Sequence, residues 1–187
     1  MLEIIPTAIP DVLILKPRRF ADTRGFFVET WNARRMAEHG LDLSFVQDNL
    51  SLSRDVGTVR GLHYQSPPHA QGKLVGCPSG AIFDVAVDIR KGSATFGQWV
   101  GAELSAENGQ LLWIPEGFLH GFVTRLPDTL VAYKCTGFYE PAADGSVLWD
   151  SVGIDWGLTA APALSDKDAT APAFADWSSP FTHEAAT

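Results

Sequence analysis

Apolar and polar residues alternate with a period of two over much of this chain, in short runs broken by Gly, Pro, Asn and Asp. That period marks strands with one packed face. It predicts strands over 25–31, 45–52, 58–64, 73–77, 81–89, 99–104, 110–114, 120–124 and 129–139. Only one stretch reads as a convincing helix, 33–39, with Asn32 as its N-cap and Gly40 as its stop. The segment from Leu158 onward is rich in Ala, Pro, Asp and Thr, and is expected to wrap the strands as turns and short helical pieces. Punctuation this regular predicts an all-β sandwich or barrel, and with neither repeat nor linker it predicts a single domain over 1–187.

Side chains two apart on a strand share a face, so the alternation also says which residues meet. In 81–89, Ala81, Phe83, Val85, Val87 and Ile89 share one face and leave Asp84 and Asp88 on the other. In 129–139, Val131, Tyr133, Cys135, Gly137 and Tyr139 share a face, so the two tyrosines flank one cavity if that face is inward. In 45–52, Gln47, Asn49 and Ser51 alternate with Val46, Asp48 and Leu50. Neither of those faces is purely apolar, which points to a surface that meets a ligand.

Composition narrows the function. At 187 residues, with 45% hydrophobic and 19% charged, the chain can bury a full core. A formal charge of −8, without a Lys/Arg run, argues against nucleic-acid binding. The local group Arg18, Arg19 and Arg24 could still serve a phosphorylated ligand. No apolar run approaches membrane-spanning length, so a cytoplasmic location is the simplest expectation. Cys77 and Cys135 lie in strand-like runs at no metal-motif spacing, and are expected as free thiols.

Candidate chemistry begins at Arg60-Gly61-Leu62-His63-Tyr64-Gln65 and Gln71-Gly72-Lys73-Leu74-Val75. The turn formers between them predict a hairpin that places His63 and Lys73 on neighbouring strands near one rim. Histidine suits proton abstraction near neutral pH, and a lysine can stabilise the oxyanion left on an adjacent carbonyl. Further on, Pro115-Glu116-Gly117-Phe118-Leu119-His120 is similar to the second motif of the cupin superfamily, where the turn delivers the histidine into the barrel mouth. Metal-binding cupins carry His-x-His in their first motif. Here Gln65 stands in the second position, so no metal is expected and His120 reads as a hydrogen-bonding or charge-stabilising group.

Together these segments resemble the dTDP-4-dehydrorhamnose 3,5-epimerase family. The resemblance runs from about Ile4 to Pro172. It rests on Asp22-Thr23-Arg24-Gly25-Phe26-Phe27-Val28-Glu29, Phe45-Val46-Gln47-Asp48-Asn49, Val59-Arg60-Gly61-Leu62-His63, Phe83-Asp84-Val85-Ala86-Val87-Asp88-Ile89-Arg90, Tyr133-Lys134 and Leu164-Ser165-Asp166-Lys167-Asp168, with the motifs above. It implies a jelly-roll cupin homodimer, without cofactor, that inverts carbons 3 and 5 of a dTDP-4-dehydro-6-deoxyglucose; the nearer alternative is an epimerase that inverts one carbon. It implies a catalytic set of His63 as base, Tyr133 as opposing acid, Lys73 at the oxyanion and Asp168 holding the His63 imidazole, with Asp84 as the competing partner for that ring. It implies substrate contacts from Arg24, Glu29, Gln47, Asn49, Arg60, His120, Asp144 and Lys167, with Tyr139 stacking on thymine and Phe138 the adjacent ring. Asp144 stands where the family pattern has Glu.

One conflict arises. In an unbroken strand over 58–64, Arg60 and His63 face opposite sides, yet both are assigned to one ligand. Gly61 between them predicts a bulge or sharp bend. The alternative is that Arg60 completes the site of a partner subunit.

Overall fold

The computed structural model describes residues 2–183. Two antiparallel sheets face each other as a jelly-roll barrel. The first runs in the order β1 (Leu2–Pro6), β2 (Leu13–Pro17), β10 (Leu111–Ile114), β7 (Lys73–Ser79), β12 (Thr129–Cys135), β5 (Gln47–Ser53). The second runs β13 (Asp144–Ser146), β6 (Val59–Gln65), β11 (Phe118–Thr124), β8 (Ala81–Asp88), β9 (Trp99–Ser105). A separate two-stranded ribbon joins β3 (Arg19–Asp22) to β4 (Gly25–Val28). All nine expected strands are present with shifted ends. The last expected strand stops at Cys135, short of Tyr139. Four short strands, β1, β2, β3 and β13, carried no alternation long enough to read.

Each layer of core follows from the pleat. Val75, Cys77, Ile82, Ala86, Leu112, Phe118, Phe122 and Val131 point between the sheets. Val85, Val87, Leu119 and Val123 point outward from the second sheet, where Trp156, Phe181 and their neighbours in the C-terminal segment cover them. Thus the apolar set of β8 faces out, under the tail, while Asp84 and Asp88 share the inner face with Ile82 and Ala86. Both aspartates are fully buried. Asp88 is satisfied there by Arg90, Ser93 and Thr95.

The expected helix is α1 (Ala33–Glu38); the Asn32 side chain accepts from the Arg35 amide, and Gly40 follows at φ 80°. Its Met36 packs with Leu2, Leu15, Leu74 and Trp113 on the outer face of the first sheet. The tail carries α2 (Asp166–Ala169), capped by Ser165, and a 3-10 turn over Phe174–Asp176, as its composition led one to expect. Residues 184–187 of that expected wrapping segment lie outside the described ones. Cys77 and Cys135 are buried and free. Among the described residues no helix is long and apolar enough to cross a membrane.

Candidate active site

The strand that carries His63 is bulged where the conflict placed it. Arg60 pairs with Phe122 and His63 with His120, so Gly61 and Leu62 together oppose Gly121. The extra residue returns the pleat to phase. Val59, Leu62 and Tyr64 then face the tail-covered layer, while Arg60 and His63 line one cavity of about 390 Å³. Gly61 is required for this: at φ +123° a Cβ there would lie 2.6 Å from Gly121 Cα and 2.7 Å from the His120 carbonyl oxygen.

His63 Nε2 lies 2.6 Å from Asp168 Oδ1, and Asp168 is buried. Ser165, the N-cap of α2, accepts from the Asp168 amide and so sets the helix that aims this carboxylate inward. Burial pushes the Asp168 carboxyl up, but hydrogen bonds with His63 and Ser165 more than offset it and hold it below the usual range. Asp84, the competing partner, is bonded elsewhere: its Oδ1 is 2.7 Å from His120 Nε2.

Lys73, His120 and Tyr133 complete the lining around His63. The hairpin reading of Lys73 needs correction. The strands β6 and β7 belong to different sheets, so Lys73 faces His63 across the barrel instead of beside it. The cause is the loop between them, which crosses from one sheet to the other. Burial lowers the Lys73 ammonium pKa, and the neighbouring Cys135, Asp84 and Asp144 oppose that fall. Burial raises the Tyr133 phenol, which therefore keeps its proton at neutral pH. Arg60 hydrogen-bonds only Ser53 and the Leu52 carbonyl oxygen. Among the described residues neither Arg60 nor Lys73 forms an ion pair, so both cations are open to an anionic ligand.

A second cavity of about 320 Å³ adjoins the first and shares His63, Lys73, Tyr133 and Lys167 with it. Its other walls include Gln47, Asn49, Tyr139 and Asp144, so the inner face of β5 and both tyrosines do meet one space. Gln47 accepts from the Tyr139 amide, and the Tyr139 hydroxyl donates to Asp144 at 3.2 Å. Lys167 pairs with the same Asp144 oxygen at 2.5 Å. Phe138 does not line either space. Alternation grouped Ser51 with Gln47 and Asn49 without assigning it; its buried hydroxyl, in the His63 cavity wall, has no partner among the described residues.

Arg24 and Glu29 lie apart from both cavities of their own chain. Arg24 sits in the tight turn of the β3–β4 ribbon, paired with Asp22, and Glu29 pairs with Arg35. Gln65 faces no metal position. Its amide donates to the carbonyls of His69 and Phe138, and its oxygen accepts from the Glu140 amide. Among the described residues no three His, Cys, Asp or Glu side chains are grouped to hold a metal ion. A larger groove of about 560 Å³ runs between the ribbon and the outer face of β5, β7 and β12, on the far side of the sheet from His63.

The sequence profile described as dTDP-4-dehydrorhamnose 3,5-epimerase matches residues 6–176. The enzyme of that name from Salmonella typhimurium is 55% identical over 175 residues, covering 92% of this chain and 95% of the relative. The crystal structure of dTDP-6-deoxy-D-glucose-3,5-epimerase from Legionella pneumophila, in complex with dTDP-4-keto-L-rhamnose, superposes with a TM-score of 0.89 at 48% identity, covering 92% of this chain and 93% of that one. A 3'-monoepimerase from Streptomyces bikiniensis, in complex with dTDP-quinovose, superposes at 0.85 with 33% identity, covering 91% and 87%.

Proposed function

The chain belongs to the dTDP-4-dehydrorhamnose 3,5-epimerase family, and on that premise we propose how its cavity performs the epimerisation of a dTDP-4-keto-6-deoxy sugar. The observation that carries the reading is a carboxylate-held imidazole and a half-buried phenol lining one cavity, with a lysine that forms no ion pair among the described residues in the same wall.

A ketone acidifies hydrogens on both flanking ring carbons, and inversion requires removal of a proton from one face and its return on the other. With Asp168 ionised, His63 donates from Nε2 and presents Nδ1 as the base. Lys73 takes the negative charge that develops on the ketone oxygen, where one well-placed donor is worth about 3 kcal/mol. Tyr133, kept protonated by its surroundings, delivers a proton from the other side. Between the two inversions His63 releases its proton to solvent and the Tyr133 phenolate takes one up, which restores base and acid so that the same pair serves each carbon in turn.

The nucleotide spans the two cavities, its diphosphate toward Arg60 in the first and its base against Tyr139 in the adjoining one, with Gln47, Asn49 and Lys167 around it. Asp144, one methylene shorter than Glu, is engaged by Lys167 and Tyr139 rather than free. Arg24 and Glu29 enter from the partner of a homodimer, whose contact is the apolar outer face beside the ribbon. Two reduced, buried cysteines suit a cytoplasmic protein.

Deuterium incorporation from heavy water, resolved by ring position, tests the reaction. Exchange and inversion at both carbons flanking the ketone are expected. Inversion at one alone would move the protein to the monoepimerase reading, and exchange at neither would remove the proton-transfer mechanism.

A further inference from the structure

Three buried carboxylates lie in or near the barrel, and two of them are fully occupied. Asp88 is surrounded by Arg90, Ser93 and Thr95, and Asp168 bonds His63 and the Ser165–Asp168 cap. Asp84 differs. It is fully buried on the inner face of β8, and among the described residues its Oδ1 meets only His120 Nε2 while its buried Oδ2 has no partner. A carboxylate left so sparsely bonded away from water is costly, and such a group calls for an electrostatic reason.

The surroundings supply one. His120 is the cross-strand partner of His63 and sits between Asp84 and the cavity. The groups that face Lys73 and this space are His63 and Arg60 from β6, Tyr133 and Cys135 from β12, Asp144 from β13, which is taken up by Lys167 and Tyr139, and Lys167 and Asp168 from the tail. Lys73 is a cation in an enclosed place with no carboxylate in ion-pair contact among the described residues. A direct ion pair would quench the charge that the ketone oxygen needs, and no counter-charge at all would favour loss of the proton.

We propose that Asp84 is a positioning residue for the epimerisation: it fixes the His120 ring through Nε2 and supplies, from behind that ring, the negative charge against which the Lys73 ammonium is held at the ketone. This rests on the assignment of Lys73 to the oxyanion. The direction of the Lys73 shift agrees, since burial lowers its pKa and the charge of Asp84 works against that fall. His120 is affected alike, lowered chiefly by burial and supported by Asp84.

The test is Asp84→Asn, whose amide oxygen can still accept from His120 Nε2 while the charge is gone. We expect kcat to fall about 10-fold to 100-fold with KM and dTDP affinity near parental values. The high-pH limb of kcat/KM moves to lower pH, because without the anion the ammonium loses its proton earlier. In a Lys73→Gln background the same substitution costs almost nothing further. Parental kcat and limb in Asp84→Asn, or full additivity with Lys73→Gln, would overturn the proposal. Lys73→Gln alone separates the levels: parental activity there removes the oxyanion assignment, whereas an impaired Lys73→Gln beside a parental Asp84→Asn removes only the role of Asp84. Should Asp84→Asn not fold, 15N shifts of the parent's imidazoles decide, with His120 protonated at Nε2 as the expected tautomer and protonation at Nδ1 alone as the refuting one.

Discussion

His63 and His120 are neighbours on paired strands, yet their rings are held from opposite directions. Asp168 reaches His63 from the tail, and Asp84 reaches His120 from inside the barrel. Partial exposure leaves His63 access to a substrate, while the deep burial of His120 suits a fixed polar wall. The roles should separate under substitution. His63→Asn is expected to abolish exchange at both carbons with dTDP affinity unchanged, because the base meets the sugar and the nucleotide is held by other side chains. Tyr133→Phe should let exchange persist at one carbon while inversion there falls about 100-fold to 10,000-fold, the range for a general acid. Position-resolved deuterium incorporation measures both, and undiminished double inversion by either variant would reject its role.

Among elements, β6 carries the most consequence per residue. Its bulge turns Arg60 and His63 to one side without exposing Leu62, so a single added residue serves core and site together. The place of that bulge depends on Gly61, hard against the β11 backbone. Gly61→Ala is therefore expected to destabilise the fold by at least ~2 kcal/mol and to depress activity. Gly92 is a useful control, with φ +87° and nothing within 4 Å of an added Cβ. Gly92→Ala should cost about 1 kcal/mol, the backbone term alone. Denaturant midpoints give the comparison; equal losses at the two positions would show that contact with β11 does not matter.

Across the whole molecule, one surface is left uncovered. The tail shields the second sheet and α1 shields part of the first, but Leu50 and the ribbon's Phe26 stand exposed along the apolar groove, with Phe20 and Phe27 exposed on the other face of the ribbon. Contiguous apolar surface of this kind marks an interface. The proposed homodimer would cover it and bring Arg24 and Glu29 to the cavity they lack in their own chain. Sedimentation should find a dimer, dissociated by Leu50→Glu. Arg24→Ala should leave the dimer intact and weaken dTDP binding by about 1.5–3 kcal/mol, as for a hydrogen bond to a charged group. A fully active monomer would end this assignment.

Local rules determined much of this protein from sequence alone. Alternation locates nine strands, Asn32 and Gly40 bound the helix, and the phase conflict between Arg60 and His63 locates the bulge. Motif resemblance supplied the family, because ordered side-chain types persist where chemistry constrains them. Alternation fixes only which residues share a face; whether that face is inside depends on what covers the other. Hence only the tertiary structure could turn the apolar face of β8 outward beneath a tail some seventy residues later, and Asp84 inward. Separation in sequence likewise hid the sheet assignment of β7, the short edge strands that pair through long-range contacts, and the choice of Asp168 for His63 and Asp84 for His120. Each of these is decided by packing between segments, which no local period encodes.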